Sequence, residues 1–181
     1  YHKILSHSDR GKRLWSKDYE ESNAEHYLFP ALNWNSDEFS CAIGAASLAR
    51  LEDTINRRRE FVRAMTNLIN AHSFACKVAD ITEEASPFFL RIQLNTSLLR
   101  IDKMTFCRAL LAEGVDLNPH YRFVIADWKW AHPYLSEHRQ TPNAVNARDT
   151  SFNLYLNENY TMQTAQEILK ALLKVEQHYQ A

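Results

Sequence analysis

Glycine is scarce in this sequence: of 181 residues, only Gly11, Gly44 and Gly114 are glycine. An average protein of this length would contain roughly a dozen. Phosphate-binding loops of the G-x-G-x-x-G and Walker types need several glycines close together, because their backbone amides must approach a phosphate. Three isolated glycines exclude such a loop from this sequence, and they argue against an all-β protein rich in tight turns.

A charge excess and long apolar runs are also lacking. The sequence has 21 Lys and Arg against 22 Asp and Glu, a formal net charge of −1, so it has no basic surplus for nucleic acid. No apolar run approaches the ~20 residues that span a bilayer. No signal peptide is recognisable, although a chain that begins Tyr-His-Lys without Met can have lost its own start. We expect a cytoplasmic protein with no nucleic-acid or membrane partner.

Motifs for metal binding and nucleophilic catalysis are missing. The sequence has three cysteines, Cys41, Cys76 and Cys107, and they are widely spaced. An odd number at such distances favours reduced, buried thiols over a disulfide or a zinc site. The sequence has no H-E-x-x-H and no C-x-x-C, and His132 and His138 lack a third ligand nearby. It has no G-x-S-x-G either, so we expect no metal, and we interpret Cys41 as a small packed residue.

What is present begins with a long helical pattern over residues 36–72. Asn35 or Ser36 can cap its start, with Glu38 in the first turn. Such a helix would be ~55 Å long and would bridge two bodies or bend. We interpret the run Arg57-Arg58-Arg59 as a solvated face rather than an anion site. The apolar residues that form one helical stripe are Leu48, Leu51, Ile55, Val62, Met65 and Ile69.

Alternation and capping residues predict the remaining elements. Residues 87–95 read as a strand with Phe88, Leu90, Ile92 and Leu94 facing a core. Asp102 caps a short helix that Gly114 ends, and Thr161 caps a last helix with Ala165, Ile168, Leu172, Val175 and Tyr179 on one stripe. Further strands are predicted over 115–121 and 151–156, and a long loop over 122–147, which is typical of a functional or packed segment.

This order predicts an α/β fold with a small mixed or antiparallel sheet and helices on one face. The length allows one domain, or one and a fraction. Residues 1–35 have too few regularly spaced apolar residues to form their own core, so we expect them to pack against another part of the protein.

Two segments offer binding chemistry. Residues 33–38, Asn-Trp-Asn-Ser-Asp-Glu, stand at the start of the long helix, where free amides can bind a phosphate or a carboxylate; simple capping is the favoured alternative. His120, Tyr121 and Arg122 follow the strand predicted over 115–121 and can bind an anion or sugar hydroxyls. They can equally be polar surface residues. The residues alone name no reaction.

A family resemblance goes further. Residues 31–44, Ala-Leu-Asn-Trp-Asn-Ser-Asp-Glu-Phe-Ser-Cys-Ala-Ile-Gly, resemble the signature G-[YF]-N-[YF]-R-M-[ST]-E-[IL]-Q-A-A-I-G of the DegT/StrS-type sugar aminotransferases. The Arg57-Arg58-Arg59 run, the strand that leads to His120-Tyr121, and the closing strand and helix after Ser151 also match in order. The matches run from about residue 4 to the end of the sequence.

The resemblance implies a pyridoxal-phosphate-dependent enzyme of fold type I, a homodimer of two-domain subunits. In that family a Lys in a segment like S-x-H-x-x-K, followed by T-T-G-E-G-G, holds the cofactor as a Schiff base. That segment lies upstream of the part matched here, and Lys3 has no such glycines after it. The chain thus resembles the C-terminal portion: residues 1–35 as the tail of the large domain and an interface loop, and 36–181 as bridging helix plus small domain.

Carried over by position, Asn33 matches the family Asn that reaches the cofactor phosphate of the other subunit, an interaction for which an amide NH2 is a suitable donor. His120 and Tyr121 match a pair on the substrate side, and Glu38 matches a Glu that we interpret as a cap. Asn35 stands where the family has Arg, which leaves a charged contact at that position in doubt.

We therefore expect the C-terminal part of an aminotransferase that acts on a keto (nucleotide-)sugar with an amino donor. We expect the chain to be inactive alone, with no catalytic residue of its own, and to need an N-terminal large domain. Two alternatives stay open: a related sugar dehydratase, in which His replaces the Schiff-base Lys, and a non-catalytic sensor or assembly module that keeps only the small domain.

Overall fold

The computed structural model describes residues 11–13, 15–20, 23, 26–33, 36–82, 84–119, 123–135 and 140–181. The chain divides into two compact units, one made of residues 1–47 and 122–145 and the other of residues 48–121 and 146–181. The second unit contains the sheet and the main core.

The sheet has four antiparallel strands in the order β1-β2-β4-β3. The strands are β1 (Cys76–Lys77), β2 (Phe89–Leu94), β3 (Leu117–Asn118) and β4 (Ser151–Tyr155). The alternation predicted for β2 is confirmed, because Leu90, Ile92 and Leu94 are buried. Phe88 is 75% exposed because it precedes the strand, so its prediction as a core residue is wrong.

Five α-helices accompany the sheet in the described part of the chain: α1 (Glu38–Leu48), α2 (Leu51–His72), α3 (Lys103–Ala112), α4 (Pro142–Thr150) and α5 (Met162–Tyr179). Apolar side chains of α2, α3 and α5 form one core with the inward side chains of the strands. The protein is therefore a mixed α/β fold with a small antiparallel sheet and helices on one face, as predicted. None of the described helices is both long and apolar enough to cross a membrane.

Two predicted helix caps are confirmed. The carboxylate of Asp102 accepts a hydrogen bond from the N–H of Thr105 at 2.7 Å, at the start of α3. Thr161 and Thr164 bond each other's backbone N–H through their hydroxyls and so form a reciprocal cap on α5. Gly114 follows the end of α3 with a φ of 88°, a conformation that a residue with a side chain rarely adopts.

The helix predicted over 36–72 is interrupted. Residues 49 and 50 form a turn between α1 and α2, and the boundary between the two units falls beside it. No residue of α1 is buried, whereas α2 buries five side chains, Phe61, Val62, Met65, Thr66 and Ile69. Leu48 and Leu51, predicted on the same apolar stripe as Val62, Met65 and Ile69, are exposed.

The segment predicted as a loop over 122–147 is partly helical. Short 3-10 turns cover Ile125–Asp127 and Lys129–Tyr134, and α4 follows. In the first unit, the ring of Tyr27 stacks on that of Trp128 with centroids 5.0 Å apart, and Lys12 pairs with Tyr27 in an isolated bridge. The described part of the N-terminal region thus packs against this segment.

Candidate functional site

The first candidate segment leads from Asn33 into α1. Asn33 is exposed. The carboxylate of Asp37 accepts hydrogen bonds from the backbone N–H and the hydroxyl of Ser40, both at 2.8 Å, and these bonds lower the pKa of Asp37. Asp37 is therefore the cap of α1, which corrects the predictions of Ser36 and Glu38. Asn35, the other predicted cap, lies outside the described residues.

The second candidate segment follows β3. His120, Tyr121 and Arg122 lie outside the described residues, so their role stays a prediction. The last described residue before Pro119 is Asn118, which ends β3 and lies directly opposite Asn153 of β4. Asn118 belongs to the second unit and Asn33 to the first.

The sheet also has a second face, opposite the side chains that enter the core. Residues directly opposite each other in antiparallel strands project on the same side. The register therefore places Arg91, Asn153 and Asn118 in one row on this second face, across β2, β4 and β3, where Asn153 is buried and Arg91 exposed. Flanking rows are formed by Phe89 with Tyr155 and by Gln93 with Ser151. Arg91 and Asn153 are polar residues of two predicted strands, but the pattern within one strand does not show that the two lie side by side.

The Arg57-Arg58-Arg59 run makes intramolecular contacts. Arg57 pairs with Asp53 at 2.9 Å, one helical turn away. Arg58 pairs with Glu158 at 3.2 Å, and the guanidinium of Arg59 donates to the carbonyl oxygen of Ala85. All three cations are engaged by the protein itself. Arg58 and Arg59 are half-buried, so the interpretation of the run as a solvated face is correct for Arg57 alone.

Lys103 is a buried lysine whose hydrogen bonds stay within the protein. Lys103 is 8% exposed, but its ammonium donates to the carbonyl oxygens of Arg148 at 2.7 Å and Ser151 at 3.0 Å, and burial lowers its pKa. The ammonium of Lys103 therefore satisfies backbone carbonyl oxygens at the C-terminal end of α4 and does not face a ligand.

Two surface cavities among the described residues contain no lysine either. One of about 450 Å³ lies between α2 and the start of α5, and one of about 260 Å³ between the end of α3 and α5. These two cavities thus offer no amine to the cofactor, and we assign no chemical step through it to the described residues.

The thiols differ in environment. Cys76 and Cys107 are buried, as predicted, and burial raises the pKa of both, that of Cys107 to about 12. Cys41 is exposed on α1, so its prediction as a packed residue is wrong. The described residues contain no group of three or more His, Cys, Asp or Glu side chains that could hold a metal ion.

Comparison with known proteins identifies the family. The family model described as the DegT/DnrJ/EryC1/StrS aminotransferase family matches residues 3–173, nearly the whole chain. The chain belongs to this family. No curated protein sequence matches it at a significant level.

Solved structures share the fold at low identity. PseC of Helicobacter pylori, an aminotransferase involved in pseudaminic acid biosynthesis, is similar over 98% of this chain and 46% of its own, with a TM-score of 0.66 and 12% identity. An aminotransferase of Psychrobacter cryohalolentis matches over 98% and 49%, with a TM-score of 0.59 and 14% identity.

The GDP-4-keto-6-deoxy-D-mannose-3-dehydratase of E. coli, solved with bound hydrated pyridoxal phosphate, matches over 95% of this chain and 47% of its own, with a TM-score of 0.60 and 18% identity. The chain thus spans about half the length of the structures that it resembles.

Proposed function

We propose that the chain is the C-terminal part of a pyridoxal-phosphate-dependent aminotransferase that acts on a keto sugar, carried on a nucleotide, with an amino acid as donor. The observation that supports this most strongly is the family match over residues 3–173. The whole protein is a cytoplasmic homodimer of two-domain subunits in this proposal. The chain supplies the small domain and, in residues 1–35, the tail of the large one.

The roles of individual residues follow from the family pattern. The amide of Asn33, which is exposed, donates to the cofactor phosphate of the other subunit. His120 and Tyr121 contact the substrate. The lysine that binds the cofactor belongs to the large domain, as the family pattern implies. Lys103 donates to two backbone carbonyls. The cofactor, when bound, supplies an electron sink for the transfer of the amino group.

A dehydratase is the second candidate. The similarity to the E. coli dehydratase has a TM-score of 0.60, equal to that of a Streptoalloteichus hindustanus aminotransferase. The fold of this half therefore favours neither reaction, and the product must decide between them.

The test uses the full-length protein, a keto nucleotide-sugar and nitrogen-labelled glutamate. An aminotransferase moves the label into the sugar and releases one 2-oxoglutarate for each amino sugar. A dehydratase releases water from the sugar and leaves it without the label. An absence of both products would overturn the proposal in favour of a non-catalytic module.

A matched pair of variants tests the role of Asn33. Asn33→Ala should weaken cofactor binding by about tenfold, because a donor to a charged phosphate is lost. Asn67→Ala, which removes an exposed amide from α2, should leave cofactor affinity unchanged. Equal affinities in the two variants would remove Asn33 from the site.

A further inference from the structure

Helix α1 (Glu38–Leu48) is the most apolar of the described helices, yet it lies in water. Every one of its residues is exposed. Phe39 is 80% exposed, Leu48 67% and Ile43 59%. Single apolar side chains are common on a protein surface, but several on one short helix mark a surface that another body covers.

The helix also lacks the packing that would stabilise it. It has 11 residues, and a helix shorter than about 12–15 residues is marginal in water unless tertiary contacts support it. None of its residues is buried. The cap formed by Asp37 and Ser40 stabilises only the first turn. We therefore expect a partner that supplies the missing contacts.

The apolar residues of α1 lie on two opposite sides. Phe39 and Ile43, four residues apart, share one side of the helix. Cys41 and Leu48, seven apart, share another side, about 170° around the axis from the first. A twofold contact with α1 of a second copy would cover one side and leave the other in water. Apolar residues on both sides are typical of a helix enclosed within a larger body.

The proposed function includes a body of sufficient size. This chain spans about half the length of the structures that it resembles, so a protein of their length has a second half as large as this one. In the proposed function, residues 1–35 are the tail of the large domain, and α1 begins three residues after that tail. The second half is therefore placed next to α1 by the course of the chain.

We propose that α1 is the docking surface for the N-terminal half of the full-length protein, which encloses the helix on the Phe39–Ile43 side and on the Cys41–Leu48 side. This rests on the part of the proposed function in which the chain is the C-terminal half of a longer protein. It assigns α1 to the interface with the large domain, whereas the sequence predicts the first part of a bridging helix there.

Cys41 is a natural probe inside the proposed interface. The test treats the 181-residue chain and the full-length protein with a thiol reagent and follows Cys41 by mass spectrometry of its peptide. In the chain alone Cys41 should react quickly, because it is exposed. In the full-length protein it should react more slowly by about tenfold or more, because a covered thiol reacts only when the interface opens. Equal rates would overturn the proposal.

A second copy of the chain is the rival occupant of α1. It would protect Cys41 in the 181-residue chain itself, and the protection would be lost on dilution. We expect the labelling rate of the chain alone to be the same at all protein concentrations. Protection of the chain alone that grows with its concentration would overturn the proposal in favour of the second copy.

A pair of substitutions in the full-length protein tests the other side of α1. Ile and Ser have similar helix propensities, so Ile43→Ser changes little on an exposed helix. In the full-length protein it should raise the equilibrium constant of unfolding by about tenfold or more, because a covered side chain loses its contacts. The control is Leu111→Ser on α3, which is 42% exposed.

The same two substitutions in the 181-residue chain complete the comparison. Leu111→Ser should have equal effects in the chain and in the full-length protein, whereas Ile43→Ser should act only in the full-length protein. A full-length Ile43→Ser variant as stable as wild type would overturn the proposal, whether or not the shorter chain folds alone.

Failure here is distinguishable from failure of the proposed function. If the full-length protein aminates a keto nucleotide-sugar while Cys41 reacts as fast as in the chain alone, the aminotransferase function stands and α1 is not the docking surface. If Cys41 is protected in a full-length protein that yields neither the amino sugar nor the dehydrated sugar, the docking surface stands and the proposed function fails.

Discussion

The carboxylate of Glu176 accepts a hydrogen bond from the hydroxyl of Ser73, which lies 103 residues earlier in the sequence. The same oxygen accepts from the backbone N–H of Cys76 at 3.1 Å and of Ala75 at 3.3 Å. Glu176 is fully buried near the end of α5. One side chain of the last helix thus holds the turn between α2 and β1.

Replacement of Glu176 by Ala should therefore destabilise the protein by about 2–4 kcal/mol, because the Ser73 hydroxyl and the Ala75 N–H lose their acceptor. The Cys76 N–H keeps the hydroxyl oxygen of Ser73, at 2.7 Å. Glu176→Gln should cost less, since its carbonyl oxygen can take the place of the accepting atom. Urea denaturation at neutral pH measures both. The control is Glu167→Ala on the exposed side of α5, and a Glu176→Ala variant as stable as this control would contradict the assignment.

Substitution by alanine should have opposite effects on stability at Gly11 and at Gly44. Gly11 has a φ of 73°, and a Cβ there would collide with the carbonyl oxygen of Phe29. Gly11→Ala should destabilise the first unit by about 1–3 kcal/mol. Gly44 lies inside α1 with open space around it, so Gly44→Ala should be neutral or stabilising.

Tryptophan fluorescence during denaturation reports this difference, because Trp128 stacks on Tyr27 within the first unit. The midpoint of the transition should fall for Gly11→Ala and not for Gly44→Ala. A Gly11→Ala variant with an unchanged midpoint would show that the turn at residue 11 does not have this conformation.

The three cysteines should react at different rates. At mildly alkaline pH, a thiol reagent should label Cys41 of the 181-residue chain quickly, because it is exposed. Cys76 and Cys107 should react only on unfolding, since burial both shields them and raises the pKa of their thiols. Cys41→Ser should abolish the fast phase, and a fast phase that survives in this variant would contradict the burial of the other two.

Asp102 should make stability depend on pH. The hydrogen bond from the N–H of Thr105 lowers the pKa of Asp102 below its ordinary value of 3.8. A carboxyl whose pKa is lowered in the folded state stabilises that state above its unfolded pKa, and the contribution is lost as the pH falls through the folded pKa.

The difference in unfolding free energy between wild type and Asp102→Asn should accordingly be present at neutral pH and shrink below pH 3.8. The control is Asp80→Asn, an exposed residue with no side-chain hydrogen bond among the described residues. If the difference in unfolding free energy between wild type and Asp102→Asn were equal at neutral and acid pH, the charge of Asp102 would not contribute to the cap.

Local signals explain what could be predicted from the sequence. Asp102 and Thr161 were predictable as caps because their side chains bond backbone groups only three residues away. The alternation in β2 was predictable because a strand with one face in a core buries every second residue. β1 was missed because two residues are too few to show a period.

Buried charges escaped prediction because charged residues on helices are normally solvated. Glu176 nevertheless continues the spacing of Leu169 and Leu172 on α5, and Lys103 precedes Phe106 by three positions on α3. Their positions on the apolar stripes of these helices were the sequence signal that both side chains are buried. The turn that separates α1 from α2, by contrast, consists of Ala49 and Arg50. Both are good helix formers, so the sequence gives no local sign of a turn there.

The candidate site was predictable only where a family motif marked it. Asn33, His120 and Tyr121 were found by resemblance, whereas the row that contains Asn153 depends on which strands are neighbours. Asn153 is 62 residues from Arg91 in the sequence, and only the sheet register brings them together. Pairing at that separation cannot be deduced from the alternation within one strand.

In the function proposed above, this chain is one half of a pyridoxal phosphate enzyme whose cofactor lysine lies in the other half. The most direct test of this claim is to titrate pyridoxal phosphate into the 181-residue chain and, in parallel, into the full-length protein, and to record the visible absorbance of lysine-bound cofactor. We predict that this absorbance appears with the full-length protein and not with the chain alone. Its appearance with the chain alone would contradict the claim.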